Sequence, residues 1–349
     1  MPLARPKWLL PAIGTVLGAA AIVVAILVSS GGGGGSRTLG AAPGGRGATE
    51  GLTDDPSSAY EAAASAALPS VVQIQRSDGL GSGVVFDKQG DIVTNAHVVA
   101  GEKRFVVVAA NGRRYDATLR GSFPQGDVAV VQVSGASLPP LPFADSSKLK
   151  VGEAVLALGS PLGLRSSVTD GIVSAVSRTV SEGNGVALPS VVQTSAAINP
   201  GNSGGALVDL HGRVVGVPTL AATDPELGGT APGVGFAISS NEVKSIASQL
   251  VQSGRVTRSD RAYLGVELGS LSQGGALVVG VQKNGPAAKA GIKPGDIIQS
   301  VDGAPVGSVD DLATALAAHK PGDRVRVKVV HQNGKTQTVD VTLGRLPAG

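Results

Sequence analysis

Between Pro69 and about Ser240 the chain is a succession of short β-branched runs cut by glycine and polar turns. No other feature restricts its fold so strongly. The runs Val71 to Gln75, Gly83 to Phe86, Asp91 to Thr94, Phe105 to Val108, Val128 to Val133, Ala154 to Leu158 and Gly171 to Val176 recur with turn signals between them. Such spacing specifies a sandwich or a barrel. Aromatic residues make up only 3% of the chain, so its cores must be filled by small aliphatic and β-branched side chains, which suit a pleated surface. The 349 residues suffice for two or three domains.

Within this region lies Asn199-Pro200-Gly201-Asn202-Ser203-Gly204-Gly205, a serine in a run of small residues that forces a tight turn. A serine hydroxyl is a weak nucleophile until a neighbouring base takes its proton, and the oxyanion formed by its attack needs preorganised donors. Glycines suit the second need. Lacking a Cβ, they let the amides of Gly201 and Ser203 converge on one point, and Asn202 between them counts in the same oxyanion hole. Taken alone, the segment reads equally well as an ordinary turn. It also fits the G-x-S-x-G elbow of α/β-hydrolases, which requires a following helix and a downstream acid and histidine. Here Ala206 to Leu210, His211-Gly212 and Val214 to Val217 read as two short strands around a turn, and the strong histidine and aspartate candidates lie upstream.

Those candidates sit in Thr94-Asn95-Ala96-His97-Val98-Val99, where His97 follows the apolar run Gly90 to Thr94, and in Gly126-Asp127-Val128-Ala129-Val130-Val131, where Asp127 opens another. The order His97, Asp127, Ser203 is that of chymotrypsin-like double β-barrels, with the histidine as general base and the aspartate fixing its tautomer. Asp116 and Asp145 compete less well: the first falls in a polar strand after Asn111-Gly112, and the second heads Asp-Ser-Ser-Lys-Leu as the cap of a helical turn. Together the three segments resemble the HtrA family of serine proteases. The resemblance implies a primary specificity pocket lined by Ile198, Thr219, Leu220, Ala221 and Ala222, small and apolar because none is charged, and a homotrimer of protease domains. Two positions depart from the family. Ser195 stands where many relatives carry an acid, and Pro218 interrupts the strand along which substrate is expected to pair, although proline cannot donate to a ladder.

Downstream, Asn241 to Ser253 reads as a helix capped by Ser239 or Ser240, with Val243, Ile246, Ala247 and Leu250 on one face. The polar stretch 254–261 follows as a linker. Tyr263-Leu264-Gly265-Val266, Gly291 to Ile298, Val301-Asp302-Gly303 and a helix from Val309 to His319 then resemble a PDZ domain of the HtrA type over 262–349. In that module a peptide C-terminus adds as a strand to a sheet edge, its carboxylate held by backbone NH groups. The resemblance implies that Tyr263, Leu264, Gly265 and Val266 form the carboxylate loop and that Leu312, Ala315 and Leu316 form the opposite wall.

At the other end, Trp8 to Val28 is an uncharged run of 21 residues preceded by Arg5 and Lys7. It is long enough to span a bilayer, and its flanking charges predict a cytoplasmic N-terminus with the remainder exported. A cleaved signal peptide is the alternative, with Val28-Ser29-Ser30 as a weak processing site. Residues 1–30 are thus an anchor, 31–55 a Gly-rich tether with too little apolar content to order itself, and 56–253 the protease domain, opened by a helix from Ser58 to Leu68 with Asp55 or Ser57 as cap. The expected fold class is mainly β, a chymotrypsin-like double β-barrel followed by a PDZ domain, behind an N-terminal transmembrane helix.

Other classes are disfavoured. The net charge of +3 comes from scattered pairs such as Lys103-Arg104, with no basic stripe and interleaved aromatics, so nucleic acid is not an expected partner. Gly79 to Gly83 precedes no helix, as a nucleotide loop would, and reads as a hairpin. The chain has no cysteine, and His211, His319 and His331 share no metal-ligand spacing, so neither metal nor cofactor is expected. The expected function is a membrane-tethered serine endoprotease acting outside the cytoplasm on unfolded or damaged proteins and regulated by C-terminal peptides. The competing class is a peptide-binding scaffold or stress sensor whose protease domain is held inactive or cuts one signalling substrate.

Overall fold

The computed structural model describes residues 56–160, 167–183, 186–199, 201–224, 229–259, 261–270 and 275–346. The expected membrane anchor over 8–28 and the tether over 31–55 lie outside these residues. Among the described residues no helix is long and apolar enough to cross a membrane.

Helix α1 (Pro56–Ala67) leads into a closed antiparallel barrel of β1 (Val71–Gln75), β2 (Leu80–Val85), β3 (Asp91–Thr94), β4 (Arg104–Val108), β5 (Arg114–Phe123) and β6 (Val128–Val133), ordered β1-β2-β3-β6-β5-β4. A second closed barrel follows from β7 (Ala154–Gly159), β8 (Ser167–Gly183), β9 (Val186–Thr194), β10 (Ala206–Asp209), β11 (Val214–Asp224) and β12 (Gly229–Ser239), ordered β10-β11-β12-β9-β8-β7. Closure removes the sheet edges that would otherwise pair with other chains. The near-continuous valine runs find their explanation in the packing. In β6, Ala129, Val131 and Val133 fill the first barrel while Val128 and Val130 face the cluster between barrels. In β7, Val155 and Ala157 fill the second barrel while Leu156 and Leu158 join the same shared cluster. Both faces of these strands are dry, so alternation with polar residues disappears.

The expected run Gly171 to Val176 is only the middle of a 17-residue strand, β8, which pairs with β9 through repeated register shifts. Ser174, Ser177 and Arg178 mask its periodicity, because at the bulges successive side chains no longer alternate strictly between faces. Helix α2 (Ser240–Ser253) buries Val243, Ile246, Ala247 and Leu250 as the pattern predicts. Its start departs from expectation. Ser239 occupies the cap position without a side-chain cap bond, and the Ser240 hydroxyl donates to the Ala144 carbonyl instead, at 2.8 Å. Ser57 likewise falls inside α1 and not at its cap, since that helix begins at Pro56.

Past the linker, a mixed assembly comprises β13 (Ala262–Tyr263), β14 (Val266–Ser270), β15 (Ala276–Val281), α3 (Pro286–Lys289), β16 (Ile297–Val301), β17 (Ala304–Pro305), α4 (Val309–Ala317), β18 (Arg324–Val330), β19 (Thr336–Thr342) and β20 (Gly344–Arg345). Its main sheet runs β14-β15-β16-β18-β19, which leaves β14 at an edge. Helix α4 starts at Ser308, whose hydroxyl accepts the Asp311 amide at 3.0 Å. Leu264, Ile298, Leu312 and Val327 lie in the core beneath.

One ionisable group is buried where the first barrel meets α2. Asp91 is 1% exposed, has Asp87 as neighbour, and lies 3.8 Å from Arg120, which itself donates twice to the Val251 carbonyl at the end of α2. Burial first, then the Asp87 charge, push the Asp91 carboxyl up to about 6, against the opposing pull of Arg120. Because the folded chain holds this proton more tightly than the unfolded one, the group's contribution to stability is present below the ordinary carboxylate range and is lost as pH rises through about 6. Asp91→Asn should therefore flatten the decline of unfolding midpoint between about pH 4 and 6. A variant with the wild-type slope in urea titrations across that range would contradict the assignment.

Candidate active site

The two barrels meet at the residues that the sequence singles out. His97 opens a 3-10 turn (His97–Val99) just beyond β3, and Asp127 joins the turn Pro124–Gly126 to β6. The antiparallel pairing of β3 with β6 brings the two segments side by side. His97 Nδ1 lies 3.0 Å from both carboxylate oxygens of Asp127, and the His97 amide donates to Oδ1 at 3.0 Å. Asp127 is 3% exposed at its side chain whereas His97 is 50% exposed. That geometry makes Nδ1 the protonated nitrogen and leaves Nε2 as the basic one. Asp127 adopts a left-handed φ of 48°, an unfavourable conformation for a residue with a Cβ, and Asn95 Nδ2 donates to its carbonyl at 3.0 Å.

The second barrel supplies the serine. In the turn before β10, Asn202 N–H donates to Asn199 O at 3.0 Å, Gly205 N–H to Asn202 O at 2.9 Å, and Gly204 N–H to Pro218 O at 3.0 Å. Gly204 has a φ of 83°, and a Cβ there would lie 2.3 Å from Ser82 O and from Thr94 Oγ1, so only glycine fits between the barrels. The N–H groups of Gly201 and Ser203 have no acceptor among the described residues. They are the pair expected of an oxyanion hole. Asn202 is not: its amide is turned inward to Asn199, its side chain bonds the Ala197 carbonyl at 3.2 Å, and the residue is 2% exposed.

Thr219 has a further duty beyond the expected one. It is 4% exposed and joins the barrels: its hydroxyl donates to Asp127 Oδ2 at 2.6 Å, and its carbonyl accepts the Ser203 hydroxyl at 3.2 Å. The second bond is long for an O–H···O contact and correspondingly weak. Sequence reasoning missed the role because a threonine inside an apolar strand looks like any β-branched residue. Ile198 is buried against β12, where a Cβ on Gly235 would meet its Cγ1 at 2.5 Å, while Leu220, Ala221 and Ala222 continue β11. Pro218 lies opposite Ala237 just before a register shift, the kind of position at which a strand tolerates proline. Ser195 Oγ accepts the Ile172 amide at 3.0 Å, so this departure from the family serves the barrel.

The rival acids have other duties. Asp116 is exposed on β5, and Asp145 accepts bonds from Asn241 and Ser147 that lower its carboxyl to about 2. His211, His319 and His331 lie beside Asp209, the pair Asp302 and Asp323, and Asp296 respectively. Among the described residues no cluster of metal-ligating side chains occurs. A cleft of about 530 Å³, lined by His97, Val99, Leu119, Pro124 and Asp127 among others, opens on the first-barrel side of the histidine and has no local sequence signal.

A larger groove of about 680 Å³ is bounded by Tyr263, Leu264, Gly265, Val266, Leu312 and Leu316. The amides of Leu264 and Gly265 have no acceptor among the described residues. Ala315 is absent from this lining and packs on the core of the C-terminal module, whereas Ala313 faces the groove, a correction of two positions around the helix. Opposite stand Ser177 and Thr179 of β8, Pro189 and Ser190 of β9, Gln125 and Arg261. The Arg261 guanidinium donates to Ala187 O at 2.7 Å and lies 6.0 Å from the Phe123 ring, so residue 261 of the expected linker is pinned.

Two closed antiparallel barrels that bring an aspartate, a histidine and a serine to their interface, followed by a small β-rich module with a groove, are the architecture of a trypsin-like peptidase domain carrying a PDZ domain. Residues 81–217 match the model of the trypsin-like peptidase domain and 262–343 that of the PDZ domain. The serine protease PepD of Mycobacterium tuberculosis is 38% identical, with 83% of this chain and 67% of that protein covered. The Do-like HtrA serine protease of Lactococcus lactis is 40% identical, covering 76% and 70%. A probable periplasmic DegP-like serine endoprotease of Pseudomonas putida is 39% identical over 78% of this chain, and the chain spans 57% of that relative's length. Among solved structures, the HtrA-type protease AlgW with a decapeptide superposes with a TM-score of 0.56 at 30% identity, covering 82% of this chain and 99% of that one. The chain belongs to the HtrA family of serine proteases.

Removing the Thr219 hydroxyl without changing shape, in Thr219→Val, deprives Asp127 of a charge-assisted bond of about 1.5 to 3 kcal/mol. The expected result is a loss of about tenfold or more in kcat at unchanged KM, with Thr219→Ser close to wild type. Equal kcat in Thr219→Val would show that the bond does not orient the carboxylate.

Proposed function

We propose that this chain is a serine endoprotease that acts outside the cytoplasm on unfolded or damaged proteins, tethered by residues 8–28 and regulated by peptide C-termini at its PDZ groove. The observation that carries the reading is the bridge Thr219 makes across the barrel interface, its hydroxyl on the Asp127 carboxylate that holds His97 and its carbonyl on the Ser203 hydroxyl, beside two amides with no acceptor among the described residues. His97 Nε2 takes the Ser203 proton as Oγ attacks the scissile carbonyl, Asp127 stabilises the imidazolium, and the amides of Gly201 and Ser203 receive the oxyanion. The proton then passes to the leaving amine, and water repeats the sequence on the acyl-enzyme. Ile198, with Leu220, Ala221 and Ala222, supplies an uncharged primary pocket, so cleavage is expected after Val, Ala and similar residues. An intact constellation speaks against a permanently inactive scaffold. Extracytoplasmic action accords with a relative named a probable periplasmic endoprotease and with the charge pattern before Trp8. A trimer of protease domains is part of the same proposal by family membership.

Ser203→Ala should abolish digestion of an unfolded protein by residues 56–349, with a loss on the order of 10⁶ in kcat, because the three residues act as a unit. Retention of more than a few per cent of activity in the purified variant refutes the assignment.

Regulation rests on proximity. Gln125 lies in the turn that delivers Asp127 and also lines the groove, so a ligand there can favour one arrangement of that turn over another. A peptide ending in a free apolar carboxylate should raise kcat/KM on a short substrate by about 5 to 150-fold, the range of ordinary coupling energies, while the same peptide amidated should not. Saturable binding with a rate change below twofold would reduce the PDZ domain to a substrate tether.

A further inference from the structure

The turn that presents Ser203 is held from the opposite barrel by one residue whose side chain no step of the mechanism uses. Ser82 of β2 is fully buried between Gly81 and Gly83. A Cβ on Gly81 would lie 2.4 Å from Val98 Cγ1 and one on Gly83 2.6 Å from Ile92 Cγ2, so the strand runs hard against its neighbours and Ser82 alone carries a side chain there. All its polar atoms are engaged. The amide donates to Ser203 O at 3.0 Å, the carbonyl accepts Thr94 Oγ1 at 2.7 Å, and the hydroxyl donates to Gly201 O at 2.5 Å while accepting the Ser160 amide at 2.8 Å.

The pattern has a specific consequence. Ser82 holds the carbonyls of both residues whose N–H groups are unoccupied, Gly201 through its hydroxyl and Ser203 through its amide. The second hold is a backbone bond that any residue could make. The first depends on the side chain, and it acts on glycine, the residue with the greatest torsional freedom, here at a φ of 101°. The peptide between Gly201 and Asn202 is pinned at its N–H by Asn199 O and at its carbonyl by Ser82. Without the hydroxyl only one end stays fixed, and the Ser160 amide at the end of β7 loses its acceptor as well.

We propose that Ser82 is a positioning residue for the oxyanion hole, its hydroxyl fixing the Gly201–Asn202 peptide against which the torsions of Gly201 set the direction of the Gly201 amide towards the developing negative charge. The inference rests on the protease reading above and deepens it. Because the hydroxyl never touches substrate, its loss lowers transition-state stabilisation while ground-state binding stays the same.

The test compares wild type with Ser82→Ala and Ser82→Thr, using a short chromogenic peptide, active-site titration to count competent serines, and inhibition by a peptide boronate of the same sequence. The boronate accepts Ser203 Oγ at boron, the serine proton passes to His97, and the tetrahedral adduct directs an oxygen to the hole. Removing one direct oxyanion donor costs about 10² to 10³ in kcat, so loss of its support should cost about 10 to 100-fold per active site at unchanged KM. Boronate affinity should fall in step while affinity for the product peptide holds, and Ser82→Thr should recover most of the rate. The proposal is overturned if Ser82→Ala turns over within twofold of wild type per titrated site, or if KM alone changes with boronate affinity intact. Should Ser82→Thr not fold, the ratio of boronate to product affinity in Ser82→Ala decides the matter alone. Absence of cleavage by wild type, or its persistence in Ser203→Ala, would refute the protease reading itself and is distinct from either result.

Discussion

The arrangement depends on a buried carboxylate that neither barrel satisfies alone. Asp127 is withdrawn from water, where an unpaired charge is costly, and its oxygens are met by the His97 amide and ring from the first barrel and by the Thr219 hydroxyl from the second. Separating the barrels would take the Thr219 donor from Oδ2. The same contacts orient the imidazole and place Thr219 so that its carbonyl receives the Ser203 hydroxyl. Stability of the interface and geometry of the chemistry are therefore set by one set of hydrogen bonds.

Around this carboxylate the structure uses glycine and small polar residues where other enzymes would use bulk. Gly204 admits the close approach of Ser82 and Thr94, the hydroxyls of Ser82, Thr94, Ser195 and Ser240 each fasten a backbone group in another segment, and that of Thr219 fastens the Asp127 carboxylate. In a chain so poor in aromatics, such short side-chain bonds position loops that large side chains elsewhere hold by packing. The groove of the C-terminal module is built into the same fabric. Its far wall is formed by β8, β9 and the turn before Asp127, and Arg261 ties it to Ala187 and Phe123.

Much of this was legible residue by residue. His97, Asp127 and Ser203 announce themselves because each stands beside an apolar run that ends or begins abruptly, and the glycines about Ser203 mark a turn with unusual angles. The apolar stripe of α2 needed only period counting. What escaped was the identity of residues acting at a distance in sequence. Thr219, expected for a pocket, also donates to Asp127, and Asn202 was expected to donate outward but bonds Asn199. Ser82 carries no local mark at all. The length of β8 was hidden by its bulges, which break the two-residue alternation that identifies a strand.

The sequence by itself determined most of the elements, the family and the three residues proposed as nucleophile, base and acid, because periodicity, turn chemistry and motif order are properties of neighbours along the chain. Only the tertiary structure decided which hydroxyl fastens which carbonyl, which amides remain open beside Ser203, and which strands face the peptide groove. Those depend on barrel closure and strand register, where a shift of one residue turns a side chain to the other face. Local sequence carries no record of that choice, since Ser82 reaches Gly201 and Ser203, and Thr219 reaches Asp127, in distant turns of the opposite barrel.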